Sequence, residues 1–223
     1  MRQPKGKKIF IFLFLFLIFG SINNLTLNRI KFATVKNIMV SGLNKNENLN
    51  LFKDIKALNL KNIFYLNRKE ISKIINSNSL IESYEIFKKY PYTIDIRIKK
   101  TNFLAKISNN GKMYLIGSNG KLSDIKFSDK ELPFIFGNPG IDEFIKFTNL
   151  IELSKFSLNE IKNLYFFPSK RWDLELKNNI ILKLSKNNTI HSLNRSYEFL
   201  NSYNFDDIKI VDARIKNQII LNE

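Results

Sequence analysis

Apolar and polar positions divide the 223-residue chain into three regimes. Residues 9–19, IFIFLFLFLIF, are an unbroken apolar run behind Arg2, Lys5, Lys7 and Lys8. From Val35 to about residue 101, short runs of period-2 character enclose two stretches of helical spacing. Beyond that point the pattern is mostly that of strands, with two helices set among them.

In the middle region, VKNIMVSG places Val35, Ile38 and Val40 on a strand that Gly42 ends. A weak helical pattern follows over 49–58. A second, NRKEISKIINSN, has Asn67 as its cap, Glu70 three residues on, and Ile71, Ile74 and Ile75 at helical spacing. IESYEIFKKY and YTIDIRIKK then read as two strands, with Ile94, Ile96 and Ile98 alternating against Asp95, Arg97 and Lys99, and Pro91 marks the turn between them. The predicted order is β-α-α-β-β.

The last region predicts strands at FLAKI and KMYLI, then LPFIFGNPG and a helix over 142–153. In RWDLELKNNIILKL, Trp172, Leu174 and Leu176 share one strand face, and Arg171, Asp173, Glu175 and Lys177 share the other. Asn178-Asn179 offers the turn to a second strand, Ile180–Leu184, which makes a hairpin with one face buried and one wet. A helix over 189–203 should present Ile190, Leu193, Tyr197 and Leu200 to the core. Two strands close the chain, over 208–214 and 217–221. No long low-complexity linker appears, and the 35–100 unit is not repeated. The fold class expected is α+β.

The leader decides topology. Its apolar run would span about 17 Å as a helix, while extension to Leu27 gives about 28 Å, close to the ~30 Å hydrocarbon core. A cleaved signal peptide needs small residues one and three places before the cut. Cutting after Gly20 or Ser21 puts Ile18 or Phe19 at the outer position, so an uncleaved anchor over 9–27 is expected. The basic tail 1–8 then stays in the cytoplasm and residues from about 28 onward lie outside.

Composition removes several classes of chemistry. There is no cysteine and one histidine, His191, so thiolate metal sites, disulfides and multi-histidine metal clusters are impossible. His191 falls off the apolar stripe of its helix and reads as solvated. The formal charge of +16 is carried by dispersed lysines, and RRM-type aromatic signatures, GxxG loops and paired zinc ligands are missing, so no nucleic-acid partner is expected. No P-loop, GxGxxG or nucleophile-elbow motif occurs, and the carboxylates lie on the polar faces of alternating strands. No enzyme, cofactor or small-molecule substrate is expected. The chain reads as a binding protein.

Several segments, in this order behind one anchor, resemble the bacterial cell-division family FtsQ/DivIB. VKNIMVSG is similar to the opening strand of its POTRA domain. KKYPYTIDIRIKKTNFLAKI resembles the basic–aromatic–Pro segment and its exit, with Lys100 and Asn102 where a proline is usual nearby and Ala105 retained. NGKMYLIGSNGKL, LPFIFG, RWDLELKNNIILKL and IVDARIKNQIIL resemble successive elements of its C-terminal β domain. The resemblance implies an anchor at 9–27, a POTRA domain over 35–101 and a mostly antiparallel β domain with packed helices over 102–223.

It also implies a non-enzymatic, single-pass scaffold of the divisome in the bacterial inner membrane, enriched at the septum. Such a protein would bind FtsB and FtsL, link early to late division proteins (FtsK, FtsW and FtsI among them), and control septal peptidoglycan synthesis. Strand addition to a sheet edge is the expected means, since an edge exposes unpaired N–H and C=O groups. The chain ends soon after Leu221, leaving NQIIL as an apolar last strand, of which about half must face the core in any case. Carried over by position, partner-binding residues are Arg171, Arg214, Ile215, Lys216, Gln218, Ile219 and Leu221. Ile215 stands where an aromatic residue is frequent, directly after Asp212-Ala213-Arg214. The alternative is another POTRA-type periplasmic module of outer-membrane assembly or secretion, or a murein-binding or murein-cleaving protein.

Overall fold

The computed structural model describes residues 5–22, 34–124, 131–202 and 208–222. Helix α1 (Lys5–Ile22) has 18 residues, and Ile9 to Phe19 are all exposed along it. No helix among the described residues is long and apolar enough to cross a membrane. Residues 1–4 of the expected cytoplasmic tail and 23–27 of the expected anchor lie outside the described residues.

Next come β1 (Asn37–Ser41), α2 (Lys45–Ala57), α3 (Arg68–Ser77), β2 (Ile81–Lys89) and β3 (Thr93–Lys100), in the β-α-α-β-β order that the sequence predicts. The strands form a sheet of order β1-β3-β2. β1 runs parallel to β3, pairing Ile38 with Ile94 and Val40 with Ile96. Helix α2 begins four residues before the apolar spacing suggests. The Glu47 carboxylate accepts the Asn44 amide at 3.1 Å, and the Asn48 side chain bonds the Leu43 backbone in both directions, so polar residues start the helix. Leu51 and Ile55 of α2, Ile71 of α3, Ile63 between them, and Ile94 and Ile96 of β3 are all buried.

The chain divides into two compact units, Met1–Ile74 with Glu85–Arg97, and Ile75–Tyr84 with Ile98–Glu223. Residues 75–84 belong with the second because Asn119 donates to the Ser79 and Ile81 carbonyls, both at 2.9 Å, and the Leu80 carbonyl accepts from Thr101.

The second unit is built on β4 (Phe103–Asn109), β5 (Lys112–Gly117), β6 (Leu122–Asp124), β7 (Phe134–Phe136), α4 (Ile141–Leu153), β8 (Ile161–Phe166), β9 (Trp172–Leu176), β10 (Ile181–Leu184), α5 (Thr189–Ser202), β11 (Ile210–Ala213) and β12 (Ile220–Asn222). Their order is β12-β11-β10-β9-β8-β7-β4-β5-β6 in one nine-stranded sheet. Most neighbours are antiparallel, but β7 lies parallel to both β4 and β8, and β10 parallel to β11 across α5. Trp172 stacks on Phe147 of α4 with centroids 4.5 Å apart and rings 5° from parallel. Leu174, Leu182, Leu184, Val211 and Leu193 continue that core. The LPFIFG element ends at Gly137, where φ is +95° and a Cβ would run into the Phe166 carbonyl, so glycine is required there.

Two expectations are corrected. The polar face of the β9–β10 hairpin is not wet throughout, because Asp173 is only 3% exposed. The helix over 189–202 turns Ile190 to solvent and buries Ser192, Leu193 and Ser196, so its inner face is rotated toward small hydroxyl residues. Tyr203, the last residue of that predicted helix, lies outside the described residues.

Candidate functional site

Strand β12 forms one edge of the nine-stranded sheet, and among the described residues no strand pairs with its outer side. Its register with β11 pairs Val211 with Leu221 and Asp212 with Ile220. Since Val211 belongs to the core, Leu221 lies on the helix-covered face and Ile220 on the opposite one. Both remain in solvent, at 40% and 46% exposure. The reading in which half of this strand is buried is therefore overturned for β12 itself: the strand lies past the cover of the helices. Ile219, just before it, is the residue packed against the core.

The strand also begins later than its sequence suggests. Asn217 adopts φ +63°, and the Gln218 amide returns to the Ile215 carbonyl at 3.2 Å, so 215–218 is a turn. Arg195 of α5 fixes that turn, donating to the Asn217 carbonyl at 2.6 Å and to its side-chain oxygen at 3.3 Å. This positioning residue is 22 places away in the chain, and nothing in its local sequence marks it. Ile215, at the head of the turn, is 53% exposed, and Lys216 and Gln218 are exposed beside it.

A polar ladder crosses the open face of the sheet behind this edge. Lys183 on β10 lies opposite Asp173 on β9 and opposite Asp212 on β11. Arg171 grips Asp173 with two bonds of 3.1 Å and stacks over Phe167 at 4.3 Å, while the Leu184 amide donates to the same carboxylate at 3.2 Å. This explains how Asp173 is buried on a polar face. Arg214 grips Asp212 in the same way, with contacts from 2.6 to 2.9 Å. Arg214, through hydrogen bonds and charge, holds the Asp212 carboxyl below its ordinary value, and Asp212 raises the guanidinium in return. Further in, Asn163, Lys162 and Tyr165 all donate to Glu175, and these bonds, with the Asn163 amide first, pull its pKa down to about 2. Burial, followed by the hydrogen bond to Glu175 and its charge, raises the Tyr165 hydroxyl.

The structure thus gathers Arg214, Ile215, Lys216, Gln218, Ile219 and Leu221 at one edge. It adds Ile220, which the sequence reading left out, because alternation alone does not show that both faces of β12 are open. Arg171 stands apart, three strands inward and about 14 Å away across the sheet. His191 is exposed at the start of α5.

The chain thus carries a β-α-α-β-β unit followed in sequence by a mixed nine-stranded sheet with an open terminal edge. Two family descriptions match it in register: "POTRA domain, FtsQ-type" over residues 33–100, and "Cell division protein FtsQ/DivIB, C-terminal" over 105–214. The chain belongs to the FtsQ/DivIB family of cell division proteins. It is 26% identical over 198 residues to the cell division protein FtsQ of Rickettsia bellii (strain RML369-C), covering 85% of this chain and 72% of that one. It is 27% identical over 146 residues to the cell division protein DivIB of Staphylococcus aureus (strain NCTC 8325 / PS 47), covering 62% of this chain and 33% of that one. The solved major extracytoplasmic domain of DivIB from Geobacillus stearothermophilus, in its trans isomer, matches with TM-score 0.33 and 12% identity, covering 46% of this chain and 89% of that one.

Proposed function

We propose that this protein is a non-enzymatic, single-pass scaffold of the cell-division machinery that captures FtsB, and with it FtsL, by strand addition at β12. The observation that carries the reading is the open β12 edge, where Ile215, Ile220 and Leu221 stand exposed beside backbone groups that no described strand takes up. A partner strand laid along this edge would use those N–H and C=O groups, and its side chains would meet Ile220 on one face and Leu221 on the other. Lys216 and Gln218 flank the strand's entry and would set register. Arg171 lies too far inward for the added strand itself and would meet only a partner residue reaching across the sheet face.

The leader completes the reading. The exposed apolar face of α1 and the basic residues ahead of it suit an anchor that continues past Ile22, with the tail in the cytoplasm and residues from about 28 onward in the periplasm. A POTRA domain over 35–101 and a β domain over 102–223 would then lie outside the inner membrane at the septum, joining early to late division proteins (FtsK, FtsW and FtsI) and controlling septal peptidoglycan synthesis.

The test is a titration of the full chain, held in detergent micelles, with the extracytoplasmic segment of FtsB from the same organism. Saturable binding is expected, weakened by about 1–3 kcal/mol in Ile215→Asp, the scale of an interface anchor. Circular dichroism must show the variant folded. Binding that ignores the substitution moves the site away from this edge. A folded wild type that does not bind at high micromolar concentration overturns the scaffold reading.

A further inference from the structure

Four large rings stand in solvent at one end of the three-stranded sheet: Phe64 at 56%, Tyr65 at 87%, Tyr90 at 58% and Tyr92 at 39% exposure. They form a built group. Phe64 stacks on Tyr90 with centroids 5.2 Å apart, and Lys88 holds the Phe64 carbonyl at 3.0 Å, tying the α2–α3 loop to the β2–β3 turn. Lys36 lies over the Tyr92 ring at 5.3 Å. Single exposed rings are ordinary, whereas several exposed at one end of a sheet, two of them stacked, mark a surface that something covers.

Charge selects the kind of occupant. The three chain segments that meet here, 34–36, 58–66 and 87–93, contain Lys36, Lys61, Lys88 and Lys89 and not one carboxylate. Lys89 is committed to Asp95 at 2.8 Å, but Lys36, Lys61 and Lys88 have no acidic partner among the described residues. Tyrosines with lysines beside them match the headgroup layer of a bilayer, where rings lie at the boundary and ammonium groups meet anionic lipid.

Chain connection places that surface within reach. The Lys36 and Asn37 amides both donate to the Tyr92 carbonyl, at 2.9 and 3.2 Å, so the chain enters the sheet at this same end. Between Ile22 of α1 and Thr34 are eleven residues, 23–33, with a fully extended reach of at most about 40 Å. We propose that the Phe64–Tyr65–Tyr90–Tyr92 tip, with Lys36, Lys61 and Lys88, is a docking surface for anionic lipid headgroups, which seats this unit on the membrane that its leader enters. The inference rests on the reading of the leader as a membrane anchor.

The chain has no cysteine, so single reporter sites can be placed at will. The full chain would be reconstituted in nanodiscs of phosphatidylcholine with about 30% phosphatidylglycerol and a headgroup-nitroxide lipid. A fluorophore would be attached at Asn59→Cys, exposed in the tip loop, or at Asn46→Cys, which is exposed near the far end of β1. Quenching at 59 should exceed that at 46 about threefold, and the excess should at least halve in discs of phosphatidylcholine alone or in about 0.5 M salt. The triple variant Phe64→Ser, Tyr65→Ser, Tyr90→Ser, verified as folded by circular dichroism, should remove the excess. Protein that does not co-elute with disc lipid overturns the anchor reading itself. Protein that co-elutes with equal quenching at both sites overturns the docking surface and leaves the patch to a protein partner. An excess that survives the triple variant reports only the tether, and likewise overturns it.

Discussion

The aromatic tip of the first unit and the β12 edge of the second both show apolar side chains to solvent, but they treat their cations in opposite ways. At the tip, Lys36, Lys61 and Lys88 have no carboxylate partner among the described residues. Along the sheet behind β12, an arginine just outside a strand is clamped to an aspartate two residues away within it, Arg171 to Asp173 of β9 and Arg214 to Asp212 of β11. Unpaired charge acts over a Debye length and attracts an anionic surface without fixing its register. Paired charge is spent locally, so an edge of that kind recognises through backbone groups and apolar contacts, which do fix register. The two proposed surfaces therefore differ in the mode of binding that each would use, although both belong to one basic chain.

The two arginine clamps themselves differ, and that difference can be broken first. Asp173 is 5% exposed at its side chain and Arg171 24%, whereas Arg214 is 45% exposed. Removing Arg171 leaves a buried carboxylate with the Leu184 amide as its remaining close donor, so Arg171→Ala should cost about 3 kcal/mol. Arg214→Ala should cost less than about 1 kcal/mol, as exposed pairs do. Urea unfolding followed by Trp172, the lone tryptophan, which is buried in this unit, measures both. Equal costs would mean that burial does not separate the clamps. A large cost at Arg171 also means that a binding defect in that variant says little about contact, and Arg171→Lys is the cleaner probe.

Acid tests the same ladder more gently. Glu175 has an ordinary value of 4.5 and is held at about 2 by Asn163, Lys162 and Tyr165. Its folded pKa is depressed, so its contribution is fully present above about 4.5 and is lost as pH falls from there toward about 2. The loss should be on the order of 2 kcal/mol after allowance for solvent screening. Asp95 and Asp212 are also lowered, by Lys89 and Arg214 foremost, and they bend the curve the same way. Glu175→Gln isolates the share of one group: its unfolding free energy should fall less steeply below pH 4.5 than that of the wild type. Parallel curves would show that the Glu175 cluster stores no such energy.

Much of this architecture was legible in the sequence, and the failures share a cause. Period-2 spacing assigned Trp172, Leu174 and Leu176 to the core face, because a strand has only two faces and one of them was apolar. It could not tell that the other face would be covered at Asp173, since that depends on Arg171 folding over it and on β10 supplying an amide. The parallel insertion of β7 between β4 and β8 was equally hidden, because three residues, Phe134–Phe136, carry no record of their neighbours. At the β12 edge the residues were found but their arrangement was not. Ile220 emerged as exposed, and the turn before it is set by Arg195, a contact that spans 22 residues. Local pattern reports faces, and long-range pairing decides which of them stay open.

The smallest effect lies where small polar residues replace apolar ones in the α5 stripe. Ser192 and Ser196 are both buried on this helix, at 3% and 0% exposure, yet they do different things. The Ser192 hydroxyl donates to the Ala213 carbonyl at 2.9 Å and accepts the Ser185 amide at 3.2 Å, pinning β11, on which β12 pairs. The Ser196 hydroxyl has no hydrogen-bond partner among the described residues. Replacing Ser192 by Ala should cost about 1–2 kcal/mol, because a buried carbonyl and amide lose their partner. Replacing Ser196 by Ala removes an unsatisfied hydroxyl and improves helix propensity, so it should raise stability by up to about 1 kcal/mol. Thermal unfolding of the two variants should therefore move in opposite directions. If Ser196→Ala is destabilising as well, the hydroxyl is satisfied and the inner face of α5 holds the edge at two points rather than one.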